Sequence, residues 1–99
     1  MKKEPVKEKW VKQQVVKMLK ARHLYYFFPV AGPYQSLGVP DIIACVRGRF
    51  VGIECKAGKN RPTEIQLRNL EAIRNNDGIA LVVNEDDLEA LEQRLETLT

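Results

Sequence analysis

The stretch VPDIIACVRGRFVGIECK, residues 39–56, decides the fold of this 99-residue chain. It contains two apolar runs rich in β-branched residues, a pattern typical of strands. Arg47 and Gly48 between them predict a two-residue hairpin turn. The pairs that this turn predicts are Val46 with Arg49, Cys45 with Phe50 and Ile42 with Ile53. In the same register Asp41 lies directly opposite Glu54.

Asp41 and Glu54 are an acidic pair in an otherwise apolar hairpin. Opposed residues have Cβ atoms roughly 4.5–5.5 Å apart, and like charges there destabilise a sheet. Side chains alternate between faces, so Lys56 shares the face of Glu54 and lies diagonal to Asp41. A divalent cation would cancel the repulsion and lower the pKa of a bound water, while the lysine offsets developing charge. These three residues therefore indicate phosphodiester hydrolysis.

Pro40-Asp41, followed after twelve residues by Glu54-Cys55-Lys56, resembles the PD-(D/E)xK nuclease motif. A longer pattern, running over about residues 8–83, resembles the VRR-NUC domain, a small virus-type replication and repair nuclease. The segments that carry this closer resemblance are 38–43, 48–51, 53–58 and 63–66.

The resemblance implies a site for Mg²⁺ or Mn²⁺. The ligands that it implies are Asp41, Glu54, the backbone carbonyl of Cys55, and Glu8. Glu8 also suits a second role, as an acid near a helix N-terminus. Glu4 competes with it for the metal site, but its position before Pro5 predicts a non-helical conformation.

Two further residues are given catalytic roles by the resemblance. Lys56 would stabilise the attacking water or the scissile phosphate, and Gln66 would assist. Gln66 has an alternative role, because Thr63-Glu64-Ile65-Gln66 is also a capping-box pattern. Both roles of Gln66 stay open at this point.

Basic and polar residues beside the motif predict contacts with nucleic acid. Lys59 and Arg61 are expected to contact phosphates, which position a nucleic acid without reading its sequence. Tyr34, Gln35 and Ser36 lie in a loop before the Asp41 strand and are candidate DNA contacts, or simply loop surface. The net charge is +3, and lysines crowd the first segment while acids crowd the last. The basic half suits a polyanion, and the acidic end is expected to face away from it.

The element order predicts an α/β fold. We expect a restriction-endonuclease-like αβββαβ core, a mixed sheet flanked by helices, with an extra C-terminal helix, in one domain over 1–99. The expected elements are a helix over 6–22, a strand over 23–30, the hairpin, a helix over 63–76 with Leu67, Leu70 and Ile73 inward, a strand over 79–83 buried on both faces, and a last helix capped by Asn84. The leucines of that helix are expected to cover the sheet, or instead to pair with another copy of the chain.

Several classes of protein are disfavoured by the sequence. No apolar stretch is long enough to span a bilayer, and no signal-peptide core follows the first lysines, which predicts a cytoplasmic protein, or host cytoplasm if phage-encoded. Cys45 and Cys55 fall on opposite faces of the hairpin, so both are expected to be reduced core residues. His23 has no second histidine for a zinc site, and no small-molecule cofactor is expected.

The sequence therefore predicts a metal-dependent deoxyribonuclease that is selective for DNA structure, like a Holliday-junction resolvase. Because a four-way junction has two symmetric strands to cut, a homodimer is expected. Two alternatives stay open. One is a DNA-binding module of the same fold that does not cleave. The other is a protein-interaction domain that uses the acidic, leucine-striped C-terminal helix.

Overall fold

The computed structural model describes residues 5–30, 32–33 and 37–99. The elements in chain order are α1 (Glu8–Ala21), β1 (Tyr25–Phe27), β2 (Ile42–Val46), β3 (Arg49–Cys55), α2 (Glu64–Asn75), β4 (Ile79–Val83), a 3₁₀ helix (Glu85–Asp87) and α3 (Leu88–Leu98). One sheet has the strand order β1-β2-β3-β4, with β1, β2 and β3 antiparallel and β4 parallel to β3. The predicted element order and the mixed sheet with flanking helices are confirmed.

The β2–β3 hairpin has the predicted register. Cys45 pairs with Phe50, and Ile42 with Ile53. The turn is possible because Arg47 and Gly48 both have positive φ, 52° and 84°, as a type I′ turn requires. This register places the start of β2 and the end of β3 at the end of the hairpin opposite the turn.

Helices α1 and α3 cover one face of the sheet. Val11, Val15 and Leu19 are spaced by four residues, so they lie on one side of α1, and all three are fully buried. Leu91 and Leu95 of α3 join them in the same core cluster with residues of β2, β3 and β4. The prediction that the leucines of the last helix cover the sheet is confirmed.

Helix α2 packs on the opposite face. A Cβ added to Gly52 of β3 would lie 2.8 Å from Cδ1 of Ile73 on α2, so the absence of a side chain lets the helix approach the sheet. Leu70 of α2 is buried, but Leu67 is 48% exposed, so the prediction that Leu67 points inward is wrong. The spacing of three residues predicts that Leu67 and Leu70 lie on the same side of α2. Leu67, however, lies in the first turn of the helix, where it stays exposed.

Most of the remaining differences between the predicted and the observed strands lie at the edges of the sheet. The predicted strand over 23–30 is only three residues long in the structure, and Pro29 lies beyond its end because proline cannot donate to a strand ladder. Strand β4 is the other edge. Val82 is 37% exposed, so the prediction of burial on both faces is wrong.

Two smaller predictions are also corrected. Cys55 is buried, but Cys45 is exposed, because it lies on the sheet face opposite the buried cluster that holds its neighbours Ala44 and Val46; both thiols are free. Asn84 caps the 3₁₀ helix, with its side chain accepting from the N–H of Asp86, and not α3 directly. In the described part of the chain, none of the helices combines the length and apolar character needed to cross a membrane.

Candidate active site

Three acidic side chains meet where α1 begins, β2 begins and β3 ends. Glu8 is the first residue of α1, Asp41 immediately precedes β2, and Glu54 is the penultimate residue of β3. One carboxylate oxygen from each lies within 4.8 Å of the other two. The hairpin register brings Asp41 and Glu54 together, and the packing of α1 on the sheet adds Glu8.

The backbone of β3 holds the Asp41 side chain. The N–H of Cys55 donates to Asp41 Oδ2 over 2.8 Å. This donor belongs to the residue that follows Glu54, so the two carboxylates are fixed relative to each other through one peptide unit. Asp41 is half-buried, and a charge-assisted bond of this kind is stronger than one between neutral groups.

Glu54 has an environment that disfavours its charge. Its side chain is 1% exposed, and among the described residues Glu54 Oε2 has no hydrogen-bond partner. The pKa of Glu54 is raised to about 8, chiefly by burial and then by the hydrogen bond and charge of Asp41, against which the charge of Lys56 acts. An unpaired buried carboxylate is unfavourable unless it is neutralised or binds a cation. This all-oxygen donor set fits Mg²⁺ or Mn²⁺.

Lys56 follows β3 directly and is 9% exposed. Its N–H donates to the carbonyl of Val83 over 2.9 Å, so pairing with β4 continues through it. It lies two positions after Glu54, which places both side chains on the same side of the extended chain. The structure therefore brings a lysine beside the acidic cluster, as the motif predicted.

The thiol of Cys55 is not suited to hold a metal. The pKa of this thiol is raised to about 12, chiefly by burial and in addition by the charges of Asp41 and Glu54, so it stays protonated near neutral pH. Metals bind the thiolate form. If Cys55 contributes a ligand, it is the backbone carbonyl that the resemblance implied.

Gln66 forms the helix cap that the sequence allowed. Its Oε1 accepts from the N–H of Thr63 over 2.9 Å, and its own N–H donates to Thr63 Oγ1 over 3.3 Å. The capping box is therefore confirmed, and the catalytic role of Gln66 stays a prediction. The start of α2 does lie near the Asp41 segment: Gly38 has φ 82°, and a Cβ there would overlap Cγ2 of Ile65.

Lys59 and Arg61 are exposed in the loop between β3 and α2. A residue that the sequence analysis missed holds this loop: the Glu85 carboxylate accepts from the N–H of Gly58, over 2.7 and 3.1 Å to its two oxygens. Glu85 belongs to the acidic segment that was expected to face away from DNA. No local pattern links positions 58 and 85; only the parallel β3–β4 pairing brings them together.

Tyr34, Gln35, Ser36 and Glu4 lie outside the described residues.

The chain therefore combines a mixed four-stranded sheet and flanking helices with an acidic cluster at one end of its central hairpin. A solved structure described as a VRR_NUC domain protein is similar to this one, with a TM-score of 0.74 at 21% sequence identity, over 97% of this chain and 93% of that chain. The chain thus has a VRR-NUC-type fold of the restriction-endonuclease-like class, as the motif resemblance predicted. No protein-family model matches the sequence. No curated protein matches it either.

Proposed function

We propose that this chain is a deoxyribonuclease that hydrolyses DNA phosphodiester bonds with Mg²⁺ or Mn²⁺. The observation that carries the proposal is the buried, unpaired oxygen of Glu54 inside a cluster of three carboxylates. Exposed acidic clusters occur without a cation, because water screens them. A buried carboxylate beside two others has no such screening, and a divalent cation would supply what it lacks.

The metal would be held by oxygen atoms of α1, β2 and β3. Asp41 and Glu54 are proposed as direct ligands, and Glu8 completes the site. The Cys55 carbonyl is a further candidate, because the N–H and C=O of one strand residue point to the same side and this N–H reaches Asp41. When bound, the cation would supply Lewis acidity toward the phosphate and a water of lowered pKa.

The remaining residues act on the substrate. Lys56 provides a positive charge beside the cluster, where it would orient the attacking water and offset negative charge on the scissile phosphate. Gln66 would assist through its amide group, since its Oε1 is committed to the cap. Lys59 and Arg61 would contact phosphates from the loop that Glu85 holds.

We further propose selectivity for DNA structure, with four-way junctions as the leading substrate. A junction presents two symmetric strands, and a homodimer would offer two sites with matching symmetry. A homodimer is therefore part of this proposal, and the mass of the protein in solution by light scattering tests it. A monomer that cuts junctions with paired, symmetric nicks would contradict the dimer.

Cleavage of labelled substrates tests the activity. Four-way junction, duplex, flap and single-stranded DNA are each incubated with Mg²⁺, Mn²⁺ or EDTA. We expect cutting with either metal and none in EDTA. Lys56→Ala should cut roughly a hundredfold more slowly or worse, because it loses charge stabilisation in the transition state. Arg94→Ala, which removes an exposed cation from α3, is the control and should cut normally.

The two alternatives predict other outcomes of the same experiment. Binding to DNA without cutting under any condition would support a non-cleaving DNA-binding module. Absence of both cutting and salt-sensitive DNA binding would favour a protein-interaction domain, because contacts to phosphates always weaken as salt rises.

A further inference from the structure

A second surface lies beside the acidic cluster, between the solvent side of α1 and the chain just after β1. It forms an open groove of about 660 Å³, named here the lysine groove, which is lined by Lys9, Lys12, Gln13, Val16, Lys17, Lys20 and Phe28. Among the described residues, no acidic side chain lies within ion-pair distance of its four lysines. The ion pairs found there are those of Arg22 with Glu92 and Glu96. The groove therefore concentrates uncompensated positive charge.

An aromatic ring lies within this positive surface. Phe28 is 45% exposed, and Lys12 Nζ lies 4.4 Å from the centre of its ring. The ring also packs against Tyr26, with 5.8 Å between ring centres and a tilt of 56°. The Lys12 contact accounts for one cation, as an ordinary cation–π pair. It does not account for Lys9, Lys17 and Lys20, which line the same groove.

The lysine groove begins next to the acidic cluster. Lys12 is four residues after Glu8, so the two side chains lie on the same side of α1, one turn apart. With a rise of about 1.5 Å per residue, Lys20 lies about 18 Å along the helix from Glu8. Strand β1 runs antiparallel to β2, so its end, followed by Phe28, lies toward the same end of the sheet as Asp41.

We infer that the lysine groove holds a single-stranded stretch of DNA that leads to the acidic cluster, with Phe28 stacked on an unpaired base and the lysines against its phosphates. An exposed ring can stack on the bases of an intact duplex only where it unstacks them from each other, which is unfavourable, whereas an unpaired base is already free to stack. A ring surrounded by lysines is instead the combination that binds single strands. The inference rests on the proposed DNA cleavage, not on the proposed preference for four-way junctions, and deepens it, since it names single-stranded DNA as the part of the substrate beside the scissile bond.

Binding of tailed and blunt duplexes tests the role of the ring. Affinities are measured in EDTA, so that no strand is cut, for a blunt duplex and for the same duplex with a single-stranded thymidine tail. Phe28→Ala should weaken binding of the tailed duplex about tenfold, in line with the loss of one stacked base, and leave the blunt duplex unchanged. The matched control is Phe50→Ala, which removes a ring that is 51% exposed near the hairpin turn, and it should change neither affinity. Equal affinities of wild type and Phe28→Ala for the tailed duplex would overturn the inference.

The salt dependence of tail binding tests the lysines independently, in case Phe28→Ala proves unstable by circular dichroism. The slope of log K against log salt for a single strand falls by about 0.7 for each phosphate contact removed. The Lys17→Gln, Lys20→Gln double variant should therefore lower the slope by about 1.4, while Arg49→Gln at the hairpin turn leaves it unchanged. An unchanged slope in the double variant would overturn the inference.

Failure of this inference and failure of the proposed function are distinguishable. A wild-type protein that binds the tail through these residues but never cuts with any metal would keep the inference and contradict the nuclease proposal. A protein that cuts with metal, but whose groove variants bind the tailed duplex like wild type, would keep the nuclease and contradict the inference.

Discussion

Glu54 carries a carboxyl group that is almost fully buried, with Asp41 and Glu8 close to it. Its neighbours in β3, Ile53 and Cys55, are fully buried in the apolar core cluster. A purely structural role would be served better by an apolar residue at this position, because buried ionisable groups are unfavourable unless they are paired. A buried carboxyl group at position 54 is therefore explained better by ligand binding than by a contribution to folding stability.

The raised pKa of Glu54 predicts how stability depends on pH without metal. In the unfolded chain this carboxyl releases its proton near its ordinary value of 4.5, whereas in the folded protein it keeps the proton up to about 8. Between these values the unfolded state binds fewer protons, so the free energy of unfolding falls as pH rises. We expect Glu54→Gln, in EDTA, to melt above wild type at pH 8 and close to it at pH 4.

The difference in melting temperature between Glu54→Gln and wild type at pH 8 can be related to the raised pKa. One pKa unit corresponds to about 1.4 kcal/mol, and about 1 kcal/mol shifts the melting temperature of a domain this small by roughly 4–8 °C. Thermal melts at the two pH values provide the measurement, with Glu89→Gln on the exposed side of α3 as the control. A Glu54→Gln variant that melts below wild type at pH 8 would show that the carboxylate is stabilised by a partner that this account lacks.

At the scale of single elements, the start of α2 separates a structural role from a catalytic one. Thr63→Ala removes the side-chain oxygen that accepts from Gln66, and loss of such a cap lowers stability by about 0.5–2 kcal/mol. Gln66→Glu keeps an acceptor for the N–H of Thr63, because glutamate serves equally in a capping box. We expect Thr63→Ala to be less stable but active below its melting temperature, and Gln66→Glu to be stable but slower in cleavage. Melting curves and cleavage rates of both variants distinguish the structural role of Gln66 from the catalytic one. Unchanged cleavage by Gln66→Glu would show that Gln66 only caps the helix.

Local patterns predicted the elements that depend on neighbouring residues. The hairpin register followed from Arg47-Gly48, because a two-residue turn fixes every pair beyond it. The α2 capping box followed from the spacing of Thr63 and Gln66. The proximity of Asp41 and Glu54 followed from the register alone, and this is why half of the candidate metal site could be predicted without a structure.

Features that depend on distant segments could not be predicted in this way. Whether Cys45 or Val82 is covered depends on the strand order and on which elements pack over each part of the sheet, and the apolar runs that contain them look the same in either case. The contact of Glu85 with Gly58 needs the β3–β4 pairing. Placing Glu8 in the cluster required a resemblance, because periodicity fixes the buried side of α1 but not its position on the sheet.

At the scale of the whole molecule, metal binding should be visible as stability. A ligand that binds only the folded state at a hundred times its Kd stabilises by about 2.7 kcal/mol. We expect saturating Mg²⁺ at pH 8 to raise the melting temperature by about 10 °C or more relative to EDTA at equal ionic strength. Asp41→Asn should lose most of this rise. If Asp41→Asn is stabilised as strongly as wild type, the cation binds elsewhere on the molecule.

The most direct test of the proposed metal site is single-turnover cleavage by wild type, Glu54→Gln and Glu89→Gln, each with Mg²⁺ and with EDTA. Glu54→Gln keeps the shape and burial of the side chain and removes only its charge. We predict that wild type and Glu89→Gln cut in Mg²⁺ at the same rate, and that EDTA or Glu54→Gln lowers the rate by at least about a hundredfold. Cleavage that persists in EDTA, or that Glu54→Gln supports at the wild-type rate, would contradict the proposed metal site.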